Sequence, residues 1–464
     1  MTRTTVVLLG GLCWLLGCSE PESGSEPPLN NGDVASDSTG VTEDVASEEA
    51  TSQDAGNGAT ESDGLLEAHL RFNISTRTAK ATLRFVPPAS GEFRLEAGGL
   101  TIQAASVPYS HDEGVLILTV PPGSAAIDVQ VDYGFPAFAK GVFQGFMESG
   151  STVIWPEYCG NLYPCRPDPR DDIIYSVAVE GLPEGHVAVH APQAVTAAPA
   201  YAVAFAVGPY TWHALGETPG GLKVGYWTLP ETVDTAAEGT QGLVEVLAWL
   251  EETLGPYAFG DTAGPVAVDW GFLAAGGIEH HPFWHVSTPA MDNRAVHAHE
   301  AAHGWFGNGV RLECWEDLVL SEGTADYLSA RVIEVVWGAE AAEEVWATYE
   351  TRLNQVFHFE LDHVAWPDET CMAIDVLGDG LFSPVPYVKG ALFYRAVAEN
   401  VGAPELDRVL GMFVALHRGG TGRMQSLLDL IHTETGFDPE PLATEWLRTE
   451  GAPGFGEEPA TPSP

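Results

Sequence analysis

Two histidines four residues apart, with a glutamate after the first, constrain this chain more than any other feature. They occur in the run HAHEAAHGWFGNGVRLECWEDLVLSEGTADY, residues 297–327. On a helix, residues i and i+4 lie on one face. His299 and His303 can therefore reach one metal ion, while Glu300 points at the open side of that ion. The segment is thus predicted to be helical and to meet a further ligand from elsewhere in the fold.

Glu322 is the candidate for that further ligand. Eighteen residues separate it from His303, and it lies in a second helical pattern, VLSEGTADYLSARVIEVV. Catalytic zinc sites use three protein ligands and keep a fourth position open for water. The spacing therefore predicts a His₂Glu site for one Zn²⁺ per chain on two packed helices. The alternatives are a surface helix that carries two histidines, or a metal that serves stability alone.

The hydrophobic pattern divides the chain into two folded parts. Residues 64–232 contain short, partly alternating, β-branched runs separated by Pro, Gly and Asp, which predict a sandwich-like or barrel-like β domain. From 233 the period becomes helical. We expect a multidomain α+β protein in which an all-β domain precedes a mostly α domain with a small sheet at 233–450, followed by a disordered tail at 451–464. Helices are predicted at about 236–255, 294–308, 319–337, 340–357, 387–401, 405–417, 423–435 and 440–449.

The first 18 residues predict export. They combine an early Arg3 with an apolar run too short to span a membrane, and they end in Leu-Leu-Gly-Cys. This ending resembles the bacterial lipoprotein cleavage box, which implies that Cys18 becomes the lipidated first residue. An ordinary signal peptide is the alternative. Residues 19–63 hold twelve acidic residues and no Lys, Arg or aromatic residue, so we expect a disordered tether.

Charge and cysteines limit the partners and the compartment. A net charge of −45 at pH 7 argues against nucleic acid and anionic lipid surfaces as partners, because both would be repelled. After Cys18 the sequence has no 18-residue apolar run, so the only expected membrane contact is the lipid anchor. Four cysteines remain in the exported body, and three pairings are possible. We favour Cys159–Cys165 and Cys314–Cys371.

The motifs together resemble the zinc aminopeptidase family of aminopeptidase N and leukotriene hydrolase. HEAAHGWFGN resembles the family's HELAHQWFGN, and WEDLVLSEGTADY resembles its W-x-D-x-W-L-N-E-G-x-x-x-Y. GGIEH, residues 276–280, takes the place of the exopeptidase motif G-A-M-E-N, and PYVKGALFY resembles the family's Y-x-K-G segment. The four motifs stand in the family's order, and the resemblance covers about residues 64–450. It implies a thermolysin-like catalytic domain that removes N-terminal residues from peptides.

The resemblance also implies a role for each motif residue. His299, His303 and Glu322 hold zinc, and Glu300 is the general base and then the acid. Tyr387 donates a hydrogen bond to the developing oxyanion. Glu279, with Gly276 and Gly277, binds the substrate and its free α-ammonium group. We also predict that Asp326, one turn after Glu322, accepts a hydrogen bond from a ligand histidine, with His299 as the expected donor.

The sequence departs from the family pattern at two points. His280 replaces the asparagine of the exopeptidase motif, and the large helical domain that closes over the site in most relatives has no counterpart here. A metallo-endopeptidase, or another hydrolase on the same scaffold, is therefore one alternative function, and a non-catalytic surface-binding lipoprotein is another. A second metal at His280, His281 and His285 is a further alternative. Ser19 directly after Cys18 resembles the signal that sorts lipoproteins to the outer membrane in some bacteria. The sequence does not predict the oligomeric state.

Overall fold

A computed structural model describes most of the chain after residue 63. The described residues are 64–142, 144–154, 158–191, 193–194, 196–271, 276–359, 361–367, 381 and 383–455. The predicted signal peptide, the tether, the lipidation site Cys18 and most of the predicted tail (456–464) lie outside them.

The described residues form a β-rich first half and a helical second half. The strands are β1 Leu65–Asn73, β2 Thr78–Phe85, β3 Glu92–Glu96, β4 Thr101–Ala105, β5 Tyr109–Asp112, β6 Val115–Thr119, β7 Ile127–Gly134, β8 Gly145–Phe146, β9 Thr152–Val153, β10 Ile174–Glu180, β11 Val187–Val189, β12 Ala206–Gly208, β13 Thr211–Glu217, β14 Lys223–Thr228, β15 Thr262–Ala263, β16 Val266–Val268, β17 Gly277–Ile278, β18 His285–Ser287, β19 Arg311–Leu312 and β20 Thr421–Gly422. The helices are α1 Val233–Gly239, α2 Leu243–Leu254, α3 Arg294–Ala302, α4 Leu318–Trp337, α5 Ala339–His358, α6 Pro384–Val401, α7 Ala403–His417, α8 Met424–Thr435 and α9 Glu440–Leu447.

Two sheets build the N-terminal core. One has the strand order β10-β1-β2-β7-β4, with β10 parallel to β1 and the other pairs antiparallel. The other has the order β3-β6-β5. Side chains along a strand point alternately to opposite faces, and in β7 the residues Val129, Val131 and Tyr133 are buried. Phe85 of the first sheet stacks on Phe93 of the second with ring centroids 3.7 Å apart. The two sheets therefore share one hydrophobic core.

A third sheet crosses the boundary that the sequence suggested at residue 232. Its order is β13-β14-β16-β18-β17, with β15 also pairing with β14. β14 runs parallel to β16 through the pair Trp227 and Val266. The strands β13 and β14, assigned from sequence to the β domain, thus belong to the sheet that borders the metal site. Local hydrophobic patterns report strands but not their partners, so this pairing could not be read from the sequence.

The predicted helices are present, with two differences in extent. The single helix expected at about 236–255 is two helices, α1 and α2, separated at Gly242, whose φ is +87°. The helix expected at 294–308 ends at Ala302. Within the described residues, no helix is both long enough and apolar enough to cross a membrane.

One predicted disulfide is confirmed. Cys159 and Cys165 are bonded, with Cα atoms 6.0 Å apart. Cys314 also takes part in a disulfide, and its predicted partner Cys371 lies outside the described residues.

Candidate metal centre

A short helix carries the first two candidate ligands. The side chain of Asn293 caps α3 by accepting hydrogen bonds from the N–H groups of Ala295 and Val296. His299 lies in the last turn of α3, and His303 is its C-cap residue. The helix stops here because the chain reverses within five residues, and Gly307 takes a φ of +100°, which favours glycine.

The second helix brings Glu322 to the same point. His299 Nε2 and His303 Nε2 each lie 3.3 Å from Glu322 Oε2, and the two nitrogens lie 3.0 Å apart. The three side chains are 12%, 1% and 4% exposed. Buried ligand atoms that converge in this way can share one metal ion. The structure therefore brings together the three residues that the spacing predicted.

Hydrogen bonds leave the Nε2 atoms free to bind a metal. His299 Nδ1 lies 2.7 Å from Asp326 Oδ1, and His303 Nδ1 lies 2.9 Å from the carbonyl of Phe306. Since a carbonyl or carboxylate oxygen accepts, each Nδ1 donates its proton, and each Nε2 offers a lone pair. Two imidazoles and one carboxylate form a donor set that fits zinc.

The electrostatics of the site favour a cation. Burial opposes ionisation of Glu322, but His303 and His299 outweigh burial and lower the pKa of Glu322 to about 2. Burial also opposes charge on His303, whose pKa is nevertheless raised to about 9 by Glu322 and Glu279. Burial also lowers the pKa of His299, but Asp326 outweighs burial and raises this pKa well above its usual value. In the metal-free protein these carboxylates therefore favour a proton on the imidazole pair, and a metal ion would displace that proton.

Glu300 and Glu279 lie beside the ligands. Their carboxylate oxygens and a ring nitrogen of His303 lie within 4.8 Å of one another. Glu300 Oε2 and Glu279 Oε1 are buried without a hydrogen-bond partner among the described residues. Burial raises the pKa of both carboxyls, that of Glu300 to about 8. A general acid–base group works best with a pKa near the operating pH.

An edge strand presents Glu279. Gly277 and Ile278 form β17 at the end of the third sheet, and Gly276 exchanges two hydrogen bonds with Ser287. A Cβ on Gly277 would lie 2.6 Å from Glu300 Oε1, so glycine is needed for this close approach. Of the predicted substrate-binding residues, Gly277 and Glu279 thus lie beside Glu300, and Gly276 precedes them on the same segment.

Tyr387 reaches the site from α6. Its ring lies nearly parallel to that of His299, with centroids 6.1 Å apart. Two glycines allow this approach: a Cβ on Gly323 would lie 2.7 Å from Gly390 Cα. The glycines of the S-E-G and V-K-G runs therefore touch where α4 and α6 meet. Burial raises the pKa of Tyr387, and Glu322 and Glu279 raise it further, so this phenol keeps its proton at neutral pH.

Sequence reasoning missed three residues that hold the site. Asn308 Nδ2 donates to the carbonyl of Glu279 at 2.6 Å, and Tyr349 donates to Asp326 Oδ1 at 3.2 Å. His281 contacts the carbonyl of Glu300 at 2.8 Å. Asn308 ends the run HEAAHGWFGN, so its place in the motif was a usable signal. The sequence held no signal that Tyr349 or His281 would hold the site, because their contacts depend on the tertiary fold.

The histidine cluster supplies no second metal site in the described part of the chain. The groups there that could hold a metal are His299–His303–Glu322 and Glu279–Glu300–His303. Both ring nitrogens of His281 are hydrogen-bonded, one to Tyr257 and one to Glu300. His285 Nδ1 contacts the carbonyl of Thr152 at 3.2 Å. Burial lowers the pKa of His281 to about 3 and that of His285 to about 4, so both rings are neutral at pH 7.

The fold and this donor set define a single-metal centre of the zinc hydrolase type, built on two packed helices beside a sheet edge. Comparison with known proteins gives the family. Residues 284–446 match the model described as "Peptidase family M1 domain". Over these residues, which include the three candidate ligands, the chain matches the family that the motifs resemble.

Curated relatives match the chain over part of its length. Leucine aminopeptidase 2 of Aspergillus niger is 30% identical over 224 residues, which cover 45% of this chain and 35% of the relative. Aminopeptidase N of Streptomyces lividans is 28% identical over 155 residues, which cover 33% of this chain and 18% of the relative. The chain thus matches about a third or less of the length of these two relatives.

Solved structures resemble the chain over nearly all their length. A mutant of a two-domain M1 zinc metallopeptidase bound to L-tryptophan has a TM-score of 0.71 at 19% identity, covering 85% of this chain and 97% of that one. A mutant M1 zinc metallopeptidase of Deinococcus radiodurans, bound to a Tyr-Ser-Ala substrate, has a TM-score of 0.71 at 20% identity and the same coverage. These likenesses confirm the expected fold, a β-rich domain followed by a helical peptidase domain.

Proposed function

We propose that this protein is a zinc-dependent aminopeptidase that removes N-terminal residues from peptides. The observation that carries the proposal is the position of Glu279. Its buried carboxylate has an oxygen without a partner among the described residues and lies within 4.8 Å of Glu300 and His303. A peptide that starts with a free α-ammonium group can satisfy this carboxylate only when its first peptide bond lies beside the metal ligands.

The side chains divide the hydrolysis between them. A zinc ion held by His299, His303 and Glu322 would polarise the scissile carbonyl and acidify a water molecule. Glu300 takes a proton from the attacking water on its carboxylate and passes it to the leaving amine. Its carboxylate lies beside the ligand His303, where it can serve both transfers. Tyr387 keeps its proton and donates a hydrogen bond to the oxygen of the former carbonyl.

The relatives support this choice over other reactions on the same scaffold. Several of the curated relatives are named aminopeptidases, and a solved neighbour holds a Tyr-Ser-Ala substrate. Two others hold single amino acids, L-tryptophan and L-arginine. Each of these ligands has a free amino terminus, as the proposed role of Glu279 requires.

The test compares free and blocked substrates. Purified protein is assayed on a panel of aminoacyl fluorogenic amides and on the same amides with an acetylated amine, each with and without a chelator. Glu300→Gln serves as the inactive control. We expect release from the free amides that both the chelator and the substitution abolish. Equal cleavage of blocked substrates would instead favour an endopeptidase or another hydrolase on the same scaffold, and no cleavage of either set by zinc-loaded protein would favour a binding role.

We further propose that the protein is exported and anchored by a lipid on Cys18, at the outer membrane of a bacterial cell. The Leu-Leu-Gly-Cys run and the acidic, aromatic-free segment 19–63 support this proposal. Mass spectrometry of the native N-terminus tests it, with Cys18→Ala as the control. A mature chain that begins at an unmodified residue would contradict the anchor.

A further inference from the structure

One short segment contacts Glu300 twice. Gly277 packs against the Glu300 side chain, where a Cβ would lie 2.6 Å from Oε1. Four residues later, His281 Nε2 lies 2.8 Å from the main-chain carbonyl of Glu300. The segment that carries Glu279 therefore holds both the side chain and the backbone of the proposed general base.

The contact falls at the end of the metal helix. The last carbonyls of an α-helix lack partners within the helix and must be satisfied from outside it. Here the Ala301 carbonyl accepts from the N–H of Gly304 at 3.1 Å, and the Ala302 carbonyl accepts from that of Trp305 at 2.9 Å. The Glu300 carbonyl accepts from His281, so an imidazole from a distant segment caps α3 next to the ligand His303.

The hydrogen-bond chemistry fixes the tautomer of His281. A carbonyl oxygen can only accept, so Nε2 carries the proton and Nδ1 is the acceptor of the neutral ring. Tyr257 Oη lies 2.7 Å from Nδ1 and must donate. His281 is 1% exposed, and its ring also packs near those of Phe259 and Trp284. The imidazole is thus held in one orientation from both sides.

We propose that His281, held by Tyr257, is a positioning residue that fixes the main chain at Glu300 and thereby the carboxylate that moves the proton. The inference rests on the proposed function, in which Glu300 is the general base. α3 ends within one residue of His303, so its last turn has few helical hydrogen bonds to hold Glu300. The His281 bond replaces one of them, and a displacement of a catalytic group by about 1 Å can cost about 10²-fold in rate.

The experiment compares four variants of the zinc-loaded protein. His281→Ala removes the donor. His281→Gln keeps a side-chain N–H at a similar reach. Tyr257→Phe removes only the hydroxyl that orients the ring. His297→Gln is the matched control, because His297 is an equally buried histidine of α3 whose Nε2 contacts the carbonyl of Met291 at 2.9 Å, away from Glu300.

Each variant is measured in three ways: zinc content, kcat and KM on a free aminoacyl amide, and amide hydrogen exchange over residues 296–306. We expect His281→Ala to lower kcat by about 10- to 100-fold, with KM and zinc content unchanged and with faster exchange at the helix end. His281→Gln restores most of kcat. Tyr257→Phe should lower kcat, but by less than His281→Ala does. His297→Gln should leave kcat unchanged.

Three results overturn the proposal: wild-type kcat and exchange in His281→Ala, a loss of activity that follows a loss of zinc, or an equal loss of kcat in His297→Gln. If His281→Ala fails to fold, an unchanged kcat and exchange rate in Tyr257→Phe overturns it. An inactive wild-type protein refutes the proposed function instead, and the exchange rates of residues 296–306 still decide whether His281 holds the helix end.

Discussion

The two sides of the metal centre are built in different ways. On the helix side, His299, Glu300 and His303 occur within five residues, and α4 supplies Glu322 and Asp326 four residues apart. Helical periodicity alone brings each set onto one face. On the strand side, a two-residue strand, β17, presents Glu279. Its position depends on Asn308, which donates to the Glu279 carbonyl, and on Ser287, whose hydroxyl accepts from the N–H of Gly276. Both residues come from other segments. One side is specified locally, and the other is held by tertiary contacts.

Removing a helix-side ligand should have the largest effect. We expect Glu322→Gln to lose zinc. Loss of a hydrogen-bond partner of a ligand typically lowers activity by about 10–100-fold, and loss of the ligand itself should lower activity by more. Metal analysis of the dialysed protein checks this. Glu316→Gln is the control, because Glu316 is equally buried and its carboxylate has no hydrogen-bond partner among the described residues. Zinc retained at wild-type affinity by Glu322→Gln would show that Glu322 is not a ligand.

Changing the strand side should affect one class of substrate. Glu279→Gln keeps the shape of the side chain and removes the charge that would pair with an α-ammonium group. A hydrogen bond to a charged group contributes about 1.5–3 kcal/mol, so kcat/KM on free aminoacyl amides should fall by about 10- to 100-fold. Zinc content should stay constant. If free and acetylated substrates lose activity equally, the exopeptidase role of Glu279 is wrong.

The partner of His299 should affect metal affinity before it affects chemistry. Asp326→Asn weakens the acceptor for His299 Nδ1, and we expect zinc affinity to fall by about 10–100-fold. Tyr349→Phe, which removes a second hydrogen bond to the same carboxylate oxygen, should give a smaller loss. Competition with a coloured chelator measures both. An Asp326→Asn protein that binds zinc like the wild type would make Asp326 a helix-face charge.

The smallest expected effect is a release of protons on zinc binding. In the metal-free protein the pKa of His303 is raised to about 9 by Glu322 and Glu279, despite burial, so its ring is protonated at pH 7. A histidine must lose this proton before it can bind a metal. Zinc should therefore displace at least one proton per site at pH 7, and its affinity should rise with pH up to about pH 9. Calorimetry in buffers of different ionisation enthalpy counts the protons, and equal heats in all buffers would refute the prediction.

The hydrophobic periods and the motifs predicted much of this structure. Local spacing was enough to predict the β-to-α change near residue 233, most helix extents, the Cys159–Cys165 bond and the group of metal ligands. The early end of α3 was missed, because the turn after His303 depends on the left-handed Gly307 and on contacts with Val310. The joining of β13 and β14 to the third sheet was missed because strand partners are non-local.

The sequence by itself determined which residues can bind the metal and which carboxylates accompany them. The His-Glu-x-x-His spacing and the four-residue step from Glu322 to Asp326 each follow a helical repeat, which can be counted in the sequence. The tertiary structure decided how Glu279, Tyr387 and His281 are placed beside the metal ligands and Glu300. They reach the site through a sheet edge, a contact between Gly323 and Gly390, and a hydrogen bond to the end of α3. Such contacts join residues far apart in the chain, and only the packed fold brings these residues together.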